Sequence, residues 1–496
     1  MHPLYEADGL SVAARLDRLP MTSLHKRFVG VMALGNFFEI YELFLSGVLA
    51  TTLRTTFELS GPDLSLVLAS AFVGAFVGAV AIGRLADRVG RRGAYMLTLS
   101  LYSAGTLACA FAPNLWTLVA FRFVAGIGLG GELPVTDSFL GDILPPGRRG
   151  RYAAWAFTTA YLAVPVVGFL GMVTVGAAPL GVAGWRWMFA VGSLGALLTF
   201  LIRRNLPESP RWLETVGRGA EADVIARRFE RAAEAEGWIP PAPADPAPAA
   251  AAVAGTRPAT AHGRRTPDPG HPVRSLFRAP LARRTAVMAV LWILAPIGYY
   301  GFSSLATLVL AAKGLTVSSS LTYLTLSFIG YPLGSYLSMF VMEKAERKWI
   351  LCASLVGMAL AGLAYGNATT TAAIIASGFC FTVVANVMSN AGHIYQLEQF
   401  PTGVRTTATG WLYSLSRLST ASAPFYLIPL LDSYGAVAVF ALVAAAMLVA
   451  AGVLAFGVRT TGLSVEAIAG ATPSDGATPA AAGPARPAQL AAPETP

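Results

Sequence analysis

Gly83-Arg84-Leu85-Ala86-Asp87-Arg88-Val89-Gly90-Arg91-Arg92 sits between two long apolar stretches, and a weakened copy returns as Met339-x-x-x-Glu343-Lys344-x-Glu346-Arg347-Lys348. Arg91 and Arg347 correspond, and 347 − 91 = 256. A second motif keeps the same offset: Asp142-x-x-Pro145-x-x-x-Arg149 reappears as Glu398-x-x-Pro401-x-x-x-Arg405. Two unrelated charged motifs sharing one offset mark a duplicated half. In a chain this apolar, the duplication predicts a membrane transporter of two parallel repeats with a substrate site between them.

Composition sets the solvent. The chain is 55% hydrophobic and 13% charged, with a mean hydropathy of +0.58. A soluble domain carries about 25% charged residues. Stretches of about 20 apolar residues are long enough to cross a bilayer as helices, and no barrel-like alternation is present. The expected fold is an all-α membrane protein. Its twelve spans fall near 28–51, 63–83, 93–112, 115–138, 152–175, 186–204, 284–311, 319–341, 350–366, 371–397, 407–430 and 436–457. These divide the chain into an N-terminal segment (1–27), a six-helix bundle (28–206), a connecting helix and linker (207–282), a second bundle (283–458) and a tail (459–496).

The net charge of +9 follows the membrane and is no nucleic-acid signature. Arg84, Arg88, Arg91 and Arg92 lie between spans two and three; Arg148, Arg149 and Arg151 between four and five; Lys344, Arg347 and Lys348 between eight and nine. The opposite loops hold little beyond Arg54, Arg186 and Lys313. The positive-inside bias places both termini and the central loop in the cytoplasm. Cys109, Cys352 and Cys380 fall within spans and read as apolar filler.

Outside the spans, Ala14 to Pro20 forms a short amphipathic stretch suited to the inner surface. After span six, Ser209 before Pro210 reads as the cap of a mixed-charge helix running to about Gly237, solvated or lipid-facing. The Ala/Pro-rich 240–272 segment and the tail from about 471 lack apolar mass and read as linkers.

Ionisable groups within spans cost at least about 2.5 kcal/mol by insertion scales, so each demands a partner or a role. Span one carries Asn36, Glu39 and Glu42, three apart and on one helical side. Mutual repulsion suits the acids to carry a proton; the competing reading is an ion pair with an arginine nearby, for which Arg122 of span four is the natural candidate. If so, protonating the acid releases the arginine. Span four continues with a glycine ladder (Gly126, Gly128, Gly130, Gly131) suited to close packing, then Glu132, which either binds a proton or bonds a neighbouring helix. Asn386, Asn390 and His393 of span ten form one polar stripe, read as a cavity lining against interhelical glue. Tyr413 and Arg417 share a face of span eleven; the guanidinium suits either a carboxylate ligand or a structural acid. Span seven carries Pro296, Gly298, Tyr299, Tyr300 and Gly301, expected to break the helix beside a ligand, with an aromatic belt at the lipid interface as the competing reading of the tyrosines. No nucleophile–base pair, metal spacing or phosphate loop is present, so neither an enzyme nor a cofactor or metal is implied.

Gly83 to Arg92 resembles the signature loop of the major facilitator superfamily, with 339–348 as its degenerate partner, and the resemblance covers essentially all twelve spans. Pro207-Glu-Ser-Pro-Arg-Trp-Leu213 is similar to the sugar-porter branch and its metabolite-transporting cousins. Arg15-Leu-Asp-Arg-Leu-Pro20 with His25, Gly131-Glu-Leu-Pro-Val135, Tyr299-Tyr-Gly301 and Arg417 with Pro424 resemble the niacin and aromatic-acid proton symporters and, more distantly, the organic-anion transporters. The resemblance implies proton coupling at the first-span acids Glu39 and Glu42, to which the residue reading adds Arg122 and Glu132. It implies recognition of an organic anion at Arg417, and the residues above add substrate contacts at Tyr299, Tyr300, Asn386, Asn390, His393 and Tyr413. A conformational gate would involve Asp87, Arg88, Arg91, Arg92, Asp142, Arg149, Glu343, Arg347, Glu398 and Arg405. The expected partners are a small organic anion, protons and the lipid of the plasma (inner) membrane, for a monomer. A sugar or polyol porter is the alternative, although span seven lacks the paired glutamines of sugar porters. A drug antiporter stands third, since Pro165-Val-Val-Gly168 is only a fragment of the efflux motif.

Overall fold

A computed structural model describes residues 11–204, 206–239, 272–279, 281–342, 344–400 and 402–460. The linker at 240–271 and the tail from 461 lie outside these residues. The first bundle contains helices Ser23–Thr56, Gly61–Val89, Arg91–Ala110, Leu115–Ile143, Pro146–Ala160 with Ala163–Thr174, and Gly184–Arg203. The second contains Leu281–Ala312, Val317–Phe328 with Gly330–Val341, Arg347–Asn367, Thr371–Gln399 and Thr402–Ala455. The last helix has 54 residues, about 81 Å at 1.5 Å each, far more than a bilayer needs. Gly435, at φ 77°, turns the chain there and makes it spans eleven and twelve. The result is the expected twelve spans in two six-helix halves.

Side-chain caps set several starts. Thr22, Ser60, Asn114, Thr316 and Thr370 each accept a backbone N–H from the first turn of the helix they precede. The glycine ladder acts in packing. A Cβ on Gly130 would stand 1.9 Å from the Ala75 carbonyl, and one on Gly126 2.2 Å from that of Ala71. Spans four and two therefore touch backbone to backbone.

Three expectations are corrected. Span seven is unbroken, with Pro296 inside one continuous helix; interruptions fall instead within spans five and eight, after Ala160 and Phe328. A proline's lost hydrogen bond is tolerated where neighbouring helices surround it. The helix after Ser209 is two, Pro210–Thr215 and Gly219–Ala235, separated at Gly217, whose φ of +79° stops the first. Finally, the N-terminal stretch lies on protein. Helix Val12–Asp17 docks on Gly219–Ala235, with Leu16, Phe28, Trp212, Ala226 and Phe229 in a shared apolar cluster. Arg15 clasps Glu230 at 2.7 Å and Asp223 at 2.6 Å, and Arg211 pairs with Asp17.

The halves meet at the end away from the basic loops. A Cβ on Gly47 would lie 1.9 Å from the Ser303 carbonyl. Thr307 donates to the Gly47 carbonyl (2.8 Å), Ser65 to that of Pro424 (3.1 Å), and Arg54 pairs with Asp432 at 3.0 Å. Phe44 packs edge-on against Tyr299, Phe328 and Tyr331. Among the described residues, no hydrogen bond or ion pair joins the halves at the basic loops themselves.

Candidate functional site

Arg417, on the face of span eleven that meets span seven, is 2% exposed. Its guanidinium donates to the Tyr300 hydroxyl at 3.2 Å and to the hydroxyl of Tyr413. It lies 5.6 Å from the Tyr300 ring centre and 4.5 Å from that of Tyr413, and its Nε has no hydrogen-bond partner among the described residues. A guanidinium surrounded by phenols and π faces is held, but its charge is not neutralised by those groups.

Beside it an aromatic cluster joins the two halves. Tyr299 donates to the Tyr161 hydroxyl at 3.1 Å. The rings of Tyr161 and Tyr331 stack 6.3 Å apart, and Phe72 of span two meets Tyr300 edge-on at 5.4 Å. His393 of span ten lies 5.0 Å from Trp292 of span seven.

The span-one acids divide. Glu42 pairs with Arg122 at 3.4 Å, both 1% exposed, and Arg122 also donates to the Val67 carbonyl (3.3 Å). Glu42 Oε2 has no hydrogen-bond partner among the described residues. Glu39 is fully buried and within electrostatic reach of Arg417, Tyr413 and Tyr161. Glu132 pairs with Arg203 at 2.9 Å. Arg203 gave no signal in sequence, because an arginine at the end of span six reads as an ordinary flanking charge.

Asn386 and Asn390 are placed differently from the expected lining. Asn386 donates to the Tyr331 carbonyl (2.6 Å), and Asn390 to the hydroxyls of Ser335 (3.2 Å) and Ser338 (2.8 Å). Both tie span ten to span eight, the interhelical alternative.

The duplicated charge motifs build the same contact in each half. Arg91 faces Asp142 at 3.9 Å, and Arg347 faces Glu398 at 3.0 Å. Glu208 accepts the backbone N–H groups of Arg91 (2.9 Å) and Arg92 (3.1 Å), capping span three where Gly90, at φ +96°, leaves no side chain in the way. Arg92 also donates to the Arg204 carbonyl, Ser209 to Asp142 (2.6 Å), and Arg211 to the Asp142 carbonyl. Arg88 is exposed. The side chains of Asp87, Arg149 and Arg405, and all of Glu343, lie outside the described residues.

Two repeated six-helix halves meeting at a buried arginine and an aromatic cluster define a membrane transporter of the major facilitator class. The chain matches the sequence profile of the sugar (and other) transporter family over residues 29–470, and it belongs to that family of secondary transporters. It is 32% identical, over 84% of its length and 87% of the relative's, to the putative metabolite transport protein YyaJ of Bacillus subtilis (strain 168). It is 28% identical, over 92% of its length and all of the relative's, to the niacin transporter NiaP of Acinetobacter baylyi. Its fold is similar to a partially occluded inward-open structure of the xylose transporter XylE from E. coli, with a TM-score of 0.70, 20% identity, and coverage of 89% and 100% of the two chains.

Proposed function

We propose that the protein is a proton-coupled symporter that imports a small organic anion, an aromatic or heterocyclic carboxylate, across the plasma membrane by alternating access. The observation that carries this reading is Arg417, whose hydrogen bonds go to two neutral phenols. A carboxylate accepts from a guanidinium fork in the geometry that fork offers, and an attached ring packs against the neighbouring tyrosines. A relative named for niacin supports the same chemistry. The Glu42–Arg122 pair supports the coupling: a proton on Glu42 releases Arg122, and its departure restores the pair. The basic loops face the cytoplasm. Closure at the Arg54–Asp432 end then makes this the inward-facing state, with Arg91–Asp142 and Arg347–Glu398 as parts of a gate whose contacts rearrange in the outward-facing state.

A sugar or polyol is the second reading, favoured by the family's description; drug efflux stands behind it. A neutral sugar has no charge for Arg417 to meet. Uptake of labelled nicotinate, benzoates and xylose into expressing cells, at acidic and neutral pH, separates them. The expected result is acid-stimulated uptake of one carboxylate, lost in Arg417→Ala. Xylose uptake that survives Arg417→Ala would overturn the organic-anion reading.

A further inference from the structure

The Glu132–Arg203 pair lies inside the first half, between spans four and six, and is separate from the aromatic cluster that joins the halves. Nη1 of Arg203 stands 2.9 Å from Glu132 Oε1, Nη2 donates to the Met32 carbonyl (3.2 Å), and the guanidinium lies 4.6 Å from the Tyr95 ring centre. Holding three spans together needs no such pair, because apolar side chains of similar volume do so without desolvating two ions. The pair presses on span one, where a Cβ on Gly35 would come within 1.8 Å of Arg203 and 2.6 Å of Glu132.

The next residue is the informative one. Asn36 is 1% exposed, and neither its Nδ2 nor its Oδ1 has a hydrogen-bond partner among the described residues. The same holds for Glu132 Oε2 and Thr136 Oγ1. Buried polar groups are ordinarily satisfied, and where protein does not satisfy them, water does. From Asn36 to Glu42 is six residues on one side of the helix, about 9 Å along its axis, with Glu39 between. Tyr102 stands within electrostatic reach of Glu39, Glu42 and Glu132 together.

We propose that these groups form a water-mediated proton route through the first half alone, from Glu42–Arg122 past Glu39 and Asn36 to Glu132–Arg203. It is separate from the substrate's path between the halves and rests on the symport reading. The proton leaves the Glu42 carboxyl, and Arg122 regains the carboxylate. Water at Asn36 passes it on, Oε2 of Glu132 receives it while Oε1 stays with Arg203, and it leaves to bulk water. Only O–H bonds break and form. Among the described residues, Glu132 meets Arg203 from span six and lies within electrostatic reach of Tyr102 from span three, which also feels Glu39 and Glu42 from span one.

Purified protein in vesicles containing a pH-sensitive dye tests the route with nicotinate as probe. Two readouts are compared: exchange of labelled for unlabelled nicotinate, which moves no net proton, and nicotinate-driven acidification. Asn36→Leu displaces the water, while the double variant Glu132→Gln/Arg203→Gln keeps a neutral hydrogen bond and removes the proton acceptor. The expected result for either is exchange within about twofold of wild type and acidification slowed at least tenfold. Exchange and acidification falling together in both variants, or acidification unchanged in both, overturns the route. Wild-type protein that exchanges nicotinate without moving protons overturns the symport reading and the route with it.

Discussion

Arg417 and Glu42 are both buried charges in one transporter, yet they are held differently, and substitution separates them. Arg417 rests on phenol hydroxyls and rings, so removing it strands no buried acid within hydrogen-bond distance. Arg417→Lys keeps the charge but loses the fork, and a charge-assisted hydrogen bond is worth about 1.5–3 kcal/mol. Carboxylate affinity is expected to fall about 10- to 150-fold with little change in thermal unfolding; unchanged affinity by calorimetry would return Arg417 to a structural role. Glu42 instead neutralises Arg122. Glu42→Gln should keep substrate exchange while abolishing the acid stimulation of uptake, and a persistent pH response would place coupling elsewhere. The span-one acids and Arg417 were legible in sequence because charge inside an apolar span has few explanations. Arg203 was not, since its place at a span end offers an innocent one. Asn386 and Asn390 were read as lining because periodicity reports which residues share a face, not what that face meets.

Helix contacts set where these residues stand. Gly130 touches Ala75, while Gly141 in the same helix has no atom within 4 Å of an added Cβ. Gly130→Ala is therefore expected to destabilise by on the order of 1–3 kcal/mol through overpacking. Gly141→Ala should be neutral or stabilise by up to about 1 kcal/mol from helix propensity. Equal unfolding temperatures for the two would contradict the backbone contact. In the clasp outside the membrane, Arg15→Ala leaves Glu230, 1% exposed, without its principal partner, a change that costs about 3–5 kcal/mol when the acid stays buried. Faster hydrogen exchange confined to residues 12–19 and 219–235 is the expected signature; unaltered protection would mean the clasp contributes little. The glycine ladder was legible because small residues at helical spacing have one common use. The uninterrupted helix through Pro296 was not, because what a proline does depends on the neighbours that surround it.

At the scale of the molecule, one offset in the chain becomes one ion pair in each half, Arg91–Asp142 and Arg347–Glu398. Duplication was readable because it is a relation within the sequence. Which end of the interface is closed was not, because alternating access requires one sequence to favour two arrangements nearly equally. Arg54–Asp432 marks the closed end. Bridging Arg54→Cys to Asp432→Cys with a short bis-thiol reagent is expected to stop uptake, with recovery on reduction; undiminished uptake by the bridged protein would show that this end need not open. The central claim is tested most directly in reconstituted vesicles under an imposed pH gradient, acid outside, by following internal labelled nicotinate. Accumulation above the external concentration, collapsing when a protonophore is added, is predicted. Equilibration without accumulation, at the same rate with or without the gradient, would contradict proton-coupled import of an organic anion.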